Sequence, residues 1–172
     1  MPKRRVKRHS VSQPLDKSYR LIPLTRNQNA LVDTDDFNWL NQWNWCALLS
    51  KHTKTFYAVR TENEKMLYMH RVVLGCTAAE DSDHRNHDTL DNRRQNLRRC
   101  TPTQNKQNAK PRRNGSSGFR GVYWNKERHK WVARIREKYI GIFTSLRDAA
   151  KAYDREAGKL YGEFAHLNFP IV

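Results

Sequence analysis

The sequence has few cysteines and no long apolar run. Only three cysteines, Cys46, Cys76 and Cys100, occur in 172 residues, and none is part of a CxxC pair, which argues against a disulfide framework or a structural zinc cluster. No stretch approaches the roughly 18 apolar residues of a membrane-spanning helix, and the first residues are polar and basic where a signal peptide would be apolar. We therefore expect buried, reduced thiols and a soluble, cytoplasmic protein with no membrane partner.

A mixed zinc site is the alternative use of these thiols. It would combine Cys76 and Cys100 with His70 and with either His84 or His87. Those ligand spacings fit no standard zinc pattern, so we prefer the interpretation in which the cysteines pack in the interior.

Acidic residues are scarce as well. There are 17 Asp and Glu against 33 Lys and Arg, which gives a formal net charge of +16, and the hydrophobic share is only 37%. Such a charge opposes compaction unless a polyanion neutralises it, and the low apolar fraction favours small domains over one large core. A nucleic acid is therefore the first partner to expect.

Composition shifts divide the chain into four segments. Residues 1–20 are basic and polar, which predicts a disordered arm. Residues 21–113 form a first domain, in which short apolar stretches alternate with polar turns as in a meandering sheet. Residues 114–118 are rich in Gly and Ser, which predicts a flexible linker. Residues 119–170 then show three strand patterns, and the alternation of the second places Arg134 and Arg136 on one face. An amphipathic helix follows, which Ser145 caps and whose apolar stripe extends to Leu160.

A tight group of tryptophans lies in the first domain. Trp39 and Trp43 occur at helix-compatible spacing after an Asp-rich start, which predicts a short helix within residues 35–45, and Trp45 is the last residue of that segment. The three rings could stack on nucleic-acid bases, but a cluster this tight is more typical of a small core.

The densest basic stretch runs from residue 93 to residue 113. It contains no acid, and its pattern predicts a helix that begins with a cap at Thr101 and Pro102 and ends before Pro111. We expect its cations to bind phosphate. They are Arg93, Arg94, Arg98, Arg99, Lys106, Lys110, Arg112 and Arg113.

A carboxylate, an imidazole and several amides accompany this stretch. Asp83-His84 places an acid beside an imidazole at a predicted strand end, residues 91–98 read Asp-Asn-Arg-Arg-Gln-Asn-Leu-Arg, and Asn105 follows on the capped helix. Phosphodiester hydrolysis needs a base to activate water, a hard cation, and cationic groups that hold the strand. With a His-Arg pair upstream, these residues resemble the HNH (ββα-metal) endonucleases, in particular the homing type.

The resemblance implies a set of roles. His84 would be the general base, Asp83 and Asn105 would be ligands of Mg²⁺ or Mn²⁺, and Asn96 would brace the loop and the His84 ring. Oxygen ligands with a single carboxylate also favour these metals over zinc. The match covers roughly residues 20 to 113, with the ββα-metal core at about 68 to 110, and it points to a bacterial or phage-infected host cell.

Two positions depart from the usual pattern. Asn105 stands where many members have His, a variant that the family also uses. The loop after His84 lacks the usual glycine, so Asn86 or Asp88 would take any positive φ that its turn requires. His70 has no clear role beyond packing or a phosphate contact.

A second resemblance covers residues 118–170. The blocks Gly-Phe-Arg-Gly-Val-Tyr-Trp, Lys-Trp-Val-Ala-Arg-Ile-Arg and the closing Leu-Asn-Phe-Pro occur in order and are similar to the ethylene-response-factor (APETALA-type) DNA-binding domain. In that family a three-stranded sheet lies in the major groove, and side chains on its exposed face contact bases.

The second resemblance also suggests contact residues. Arg120 and Arg136 match base-reading arginines by position, and Trp124 lies near a contacting aromatic. Arg134 stands where the family has Glu, and Tyr123 where it has a further Arg, so the plant target sequence should not be transferred. An arginine on such a face can form a bidentate pair with guanine. The alternative is that these arginines bind phosphate alone.

The sequence thus predicts an α+β protein, with a ββα-metal HNH nuclease domain followed by a small three-stranded antiparallel sheet packed on one helix. Its leading functional prediction is a metal-dependent DNA endonuclease that hydrolyses phosphodiester bonds and takes its site preference from the C-terminal sheet. The first alternative is a sequence-specific, transcription-factor-like DNA-binding protein with an inactive nuclease motif. An RNA-binding basic protein is a third. We expect double-stranded DNA as the partner, no small-molecule cofactor, and a monomer or weak dimer.

Overall fold

A computed structural model describes residues 8–51, 53–109 and 117–170. The chain divides into two compact units, with the boundary between residues 101 and 102. The predicted boundaries at residues 20, 113 and 118 stay predictions. Residues 1–7 of the predicted arm, and residues 114–116 of the predicted linker, lie outside the described part of the chain.

The first unit consists of antiparallel hairpins joined by short helices. Its sheets are a β1–β2 hairpin, a three-stranded meander in the order β3-β4-β5, and a β6–β7 hairpin. The elements in chain order are β1 Tyr19–Pro23, β2 Asn29–Asp33, α1 Thr34–Leu40, β3 Cys46–Leu49, β4 Phe56–Glu62, β5 Lys65–Tyr68, α2 Met69–Leu74, β6 Asp81–His84 and β7 Leu97–Cys100.

The core of the first unit draws on most of these elements. Ile22, Val32, Leu40 and Met69 are almost fully buried within it. Trp45 is 0% exposed, and its indole N–H donates to the carbonyl of Leu40 at 2.8 Å, so the polar edge of the largest core side chain is satisfied.

The tryptophan group divides between the core and the surface. Trp39 packs against the core that contains Trp45, which confirms the packing interpretation for these two. Trp43 lies outside the core and is 43% exposed, with the guanidinium of Arg60 above its ring at 4.1 Å. The predicted helix is present but ends at Leu40, before the last two tryptophans.

The second unit contains a short helix, a sheet and a long helix. The sheet is antiparallel in the order β10-β9-β8, as the alternating sequence pattern predicts. The elements in chain order are α3 Pro102–Asn108, β8 Val122–Asn125, β9 Lys130–Ile135, β10 Lys138–Phe143, α4 Leu146–Tyr161 and a 3-10 helix at Gly162–Phe164.

Helix α4 covers one face of this sheet. Ser145 accepts a hydrogen bond from the Asp148 N–H at 3.2 Å, which caps the helix as predicted. Ala149, Ala150 and Ala157 are 0% exposed, because their small side chains let the helix approach the strands closely. Leu160, which the predicted apolar stripe included, is 55% exposed instead.

The α+β class with antiparallel sheets is therefore confirmed, and the C-terminal part has the predicted three strands and packing helix. A ββα-metal nuclease domain is not shown. The β6–β7 hairpin belongs to the first unit, whereas α3, the helix predicted to complete that motif, belongs to the second.

Candidate nucleic-acid interface

Positive charge is unevenly divided between the two units. Residues 1–101 contain 18 Lys and Arg against 11 Asp and Glu, and five of those cations fall within the first eight residues. Residues 102–172 contain 15 Lys and Arg against only six acids. The second unit therefore has the larger net charge, +9 against +7, in fewer residues, as expected of a phosphate-binding module.

All four predicted phosphate-binding arginines in the first unit are paired with acids. Both Arg93 and Arg94 make two hydrogen bonds to one carboxylate, at 2.7 to 2.8 Å, with Asp91 and Asp36 respectively. Arg99 contacts Glu80 at 2.7 Å. Each pair places a carboxylate where a phosphate would have to bind, so the basic stretch offers less free charge than its composition suggests.

Arg98 is paired most completely. It lies directly across from Asp83 in the β6–β7 register, and its Nε and Nη2 donate to Asp83 Oδ2 at 2.9 and 2.6 Å. The two side chains are 6% and 7% exposed. The acid predicted as a metal ligand is therefore the counter-ion of a buried arginine, and the guanidinium of that arginine is directed at the acid.

His84 lies in a buried aromatic cluster. Its ring centroid is 4.9 Å from that of His70, and Tyr57 lies beside both rings. Burial lowers the pKa of His84, although the nearby Asp83 carboxylate opposes the shift. Burial also lowers the pKa of His70, to about 3, and the neighbouring His84 adds to that shift. The cluster favours neutral imidazoles in the folded state.

Asn96 organises the loop between β6 and β7. Its side-chain N–H donates to the Asp91 carbonyl at 2.8 Å, and its Oδ1 accepts from the Asn86 N–H at 3.0 Å. These bonds brace the loop, as the resemblance implied for Asn96, while its predicted contact with the His84 ring stays a prediction. The residue with positive φ is His87, at +62°, rather than Asn86 or Asp88, so that expectation was wrong.

The predicted catalytic and metal residues are divided between the two units. Asp83, His84 and Asn96 belong to the first unit and Asn105 to the second. Among the residues that the structure describes, no group of three or more His, Cys, Asp or Glu side chains is placed to hold a metal ion. This finding also leaves the mixed zinc alternative without support.

The second unit presents an open sheet face opposite α4. The register places Tyr123 beside Val132 and Ile142, and Arg134 beside Tyr139, and paired residues of antiparallel strands share a face. The two tyrosines are 43% and 55% exposed. Two aromatic rings and a guanidinium therefore line this face.

Arg134 is the predicted contact residue that lies on this face. Its Nη2 donates to the Glu137 carboxylate at 3.1 Å, and that glutamate side chain is 97% exposed. Such a solvated pair contributes little, so a phosphate or a base edge can replace it at low cost. The sequence analysis did not identify Tyr139 as a candidate contact. The alternation of side chains along the third strand is the signal that could have placed it on the open face.

The other predicted contacts of the C-terminal module lie elsewhere. Trp124 pairs with Trp131, which packs against the helix side of the sheet. Arg136 has a φ of +51° in the turn after β9, and its guanidinium lies 5.3 Å from the Tyr161 ring. Contrary to the prediction from strand alternation, Arg136 therefore does not share the Arg134 face, because the strand ends at Ile135.

Arg120 is engaged with α3. Its guanidinium donates to the carbonyls of Ala109 and Lys106, the latter at 3.1 Å. Lys106 itself is exposed on α3. The remaining predicted contacts, Lys110, Arg112 and Arg113, lie outside the described residues.

No family model matches the chain. Part of it is similar to the dehydration-responsive element-binding proteins 2D and 2A of Arabidopsis thaliana, with 46% and 42% identity over 66 residues. A further relative is the ethylene-responsive transcription factor ERF024 of the same plant, with 43% identity over 58 residues. These matches cover 33%, 33% and 30% of this chain and 30%, 18% and 32% of the relatives.

The comparisons support the ethylene-response-factor resemblance and contradict the nuclease prediction. The relatives are named as element-binding proteins and transcription factors, not as hydrolases. The predictions of an HNH endonuclease, of phosphodiester hydrolysis and of a Mg²⁺ or Mn²⁺ cofactor were therefore wrong. The physical reason is visible at the centre of the motif, where Asp83 neutralises Arg98 and no metal-binding group of side chains forms in the described residues.

The relatives also bear on the expected cellular setting. They come from plants, so the expectation of a bacterial or phage-infected host has no support. No helix in the described part of the chain is both long enough and apolar enough to cross a membrane.

The buried histidines predict a stability that depends on pH. His70 is neutral in the folded state, where its pKa is about 3. In the unfolded state the same side chain binds a proton below about pH 6.5, which stabilises the unfolded state as the pH falls. The full contribution of the neutral His70 to folding stability is therefore present above about pH 6.5 and is lost as the pH falls toward 3. We expect the first unit to lose roughly 2 kcal/mol between pH 7 and pH 5.

Urea denaturation at a series of pH values measures this loss, with amide exchange of the first-unit core as the probe. The His70→Phe variant keeps an aromatic ring and removes the titrating group. It should show a flatter profile than the parent between pH 7 and pH 5. Equal slopes for the two proteins would remove His70 as the cause.

Proposed function

We propose that this chain is a sequence-specific, transcription-factor-like protein that binds double-stranded DNA through the open face of the β8–β10 sheet. The observation that carries the proposal is the contrast between the two faces of the sheet. Helix α4 buries one face, while Tyr123, Arg134 and Tyr139 lie exposed on the other. The similarity to plant element-binding proteins supports the same role.

The chemistry of the face suits a groove of duplex DNA. A guanidinium can donate two hydrogen bonds to the O6 and N7 of guanine, which discriminates against other bases by about 1–3 kcal/mol. The tyrosines offer apolar ring surface to thymine methyl groups and hydroxyls to phosphates. The positive charge of the second unit adds affinity that does not depend on sequence.

The experiment begins with selection of preferred sites from a random duplex library by the full chain. Fluorescence anisotropy then compares the selected duplex with versions changed at one base pair. We expect Arg134→Ala to reduce the discrimination at one base pair by about 1–3 kcal/mol, because the bidentate contact is lost.

Arg155→Ala is the matched control, since Arg155 is an exposed arginine on α4 and the substitution removes the same charge. It should leave discrimination unchanged. Equal losses in the two variants, or no enrichment of any sequence in the selection, would contradict the proposal.

A further inference from the structure

Arg120 lies at the centre of a continuous hydrogen-bond path through the second unit. The Asp154 carboxylate on α4 accepts from the backbone and side-chain N–H groups of Asn168 at 2.8 and 3.0 Å. Asn168 in turn accepts from the Arg120 backbone N–H at 2.7 Å and donates to the Arg120 carbonyl at 3.2 Å. Asn168 thus connects both the N–H and the carbonyl of Arg120 to Asp154 on α4.

The side chain extends this path to α3. The guanidinium donates to the Lys106 carbonyl at 3.1 Å and to the Ala109 carbonyl. The last carbonyls of a helix have no intrahelical donor and carry partial negative charge, so a guanidinium satisfies them and stabilises the helix end. A second contact runs from the His166 N–H to the Gln107 carbonyl at 3.4 Å, so the C-terminal turn of α3 is held at two places.

We infer that Arg120 is a positioning residue, which fixes α3 to the DNA-binding module so that Lys106 supplies a phosphate contact, and that Arg120 does not read a base. The inference rests on the proposed function of the sheet. It assigns Arg120 a different task from the base contact that its place in the sequence pattern suggests. The physical reason is that its donors are already directed at α3 carbonyls, whereas those of Arg134 face a solvated glutamate that DNA can displace.

The same anisotropy assay tests this division of tasks with Arg120→Ala, Lys106→Ala and the double variant. We expect Lys106→Ala to weaken binding to all duplexes by a similar factor, about two- to fivefold, and to reduce the slope of log K against log salt by about 1. Arg120→Ala should cause a similar uniform loss. In the double variant, Lys106→Ala should have no further effect, because α3 is already detached.

Amide exchange of Gln107 and Ala109, measured without DNA, separates this inference from the proposed function. It should be faster in Arg120→Ala than in the parent, and Arg120→Lys should restore part of the protection. Loss of discrimination at a single base pair in Arg120→Ala, with unchanged exchange in α3, would instead make Arg120 a base-reading residue. A parent-like affinity of Lys106→Ala, or full additivity in the double variant, would also overturn the inference.

Discussion

The Gly121→Ala variant is expected to lose the folded second unit and, with it, DNA binding. Gly121 has a φ of +70°, and a Cβ there would lie 2.1 Å from Tyr153 Cδ2 and 2.6 Å from the Arg134 carbonyl oxygen. Tyr153 is a core residue that is 3% exposed, and the backbone of Arg134 is hydrogen-bonded to Gly121 at 2.8 Å. Neither neighbour can move away without breaking the sheet or the core.

The cost combines two effects. A left-handed backbone conformation disfavours a side chain by about 1–2 kcal/mol, and overpacking a well-filled core adds about 1–3 kcal/mol or more. A loss of roughly 2–5 kcal/mol is a large part of the stability of a unit this small. Thermal unfolding followed by circular dichroism, together with anisotropy on a selected duplex, measures both consequences.

Gly158→Ala is the matched control for this change. Gly158 lies within α4, and an added Cβ would meet nothing within 4 Å. In an open helical position, alanine stabilises by up to about 1 kcal/mol relative to glycine. We therefore expect a small increase in melting temperature. A parent-like melting temperature for Gly121→Ala would show that the Tyr153 ring can move, and the close approach would not be a requirement of the fold.

The second unit was largely predictable because its signals are local. Strand alternation, the Ser145 cap and the small residues of α4 act over a few neighbours, and each is realised in the structure. The exception is the turn after β9, where Arg136 adopts a positive φ. Strand periodicity gives no sign of where a strand stops, so the pattern extended Arg136 onto the wrong face.

The first unit shows why the nuclease-like motif led to a wrong functional prediction. The residues between β6 and β7 form many local hydrogen bonds, such as Asn96 to Asp91 and Arg93 to Asp91, so the same pattern satisfies a structural need. The pairing of Asp36 with Arg94 spans 58 positions in sequence. No local rule predicts such a partner, and without it the arginines of the basic stretch looked available to phosphate.

The buried Asp83–Arg98 pair gives the other large expected effect. Removing one partner of a buried ion pair leaves an uncompensated charge and typically costs about 3–5 kcal/mol. We expect Arg98→Ala to destabilise the first unit by that amount, measured by urea denaturation with tryptophan fluorescence. Arg99→Ala is the control on the same strand, because the Arg99 and Glu80 side chains are 52% and 32% exposed, and such a solvated pair contributes little to stability.

A combined variant separates the charge effect from the loss of packing. Asp83→Leu together with Arg98→Met removes both charges and keeps apolar volume on adjacent strands, so it should recover most of the stability that Arg98→Ala loses. If Arg98 makes no phosphate contact, the folded double variant should bind DNA within about twofold of the parent. Loss of even one phosphate contact would weaken binding by more than that. A large loss of DNA affinity in this stable variant would mean that Arg98 contacts the duplex after all, and that the β6–β7 hairpin opens when DNA binds.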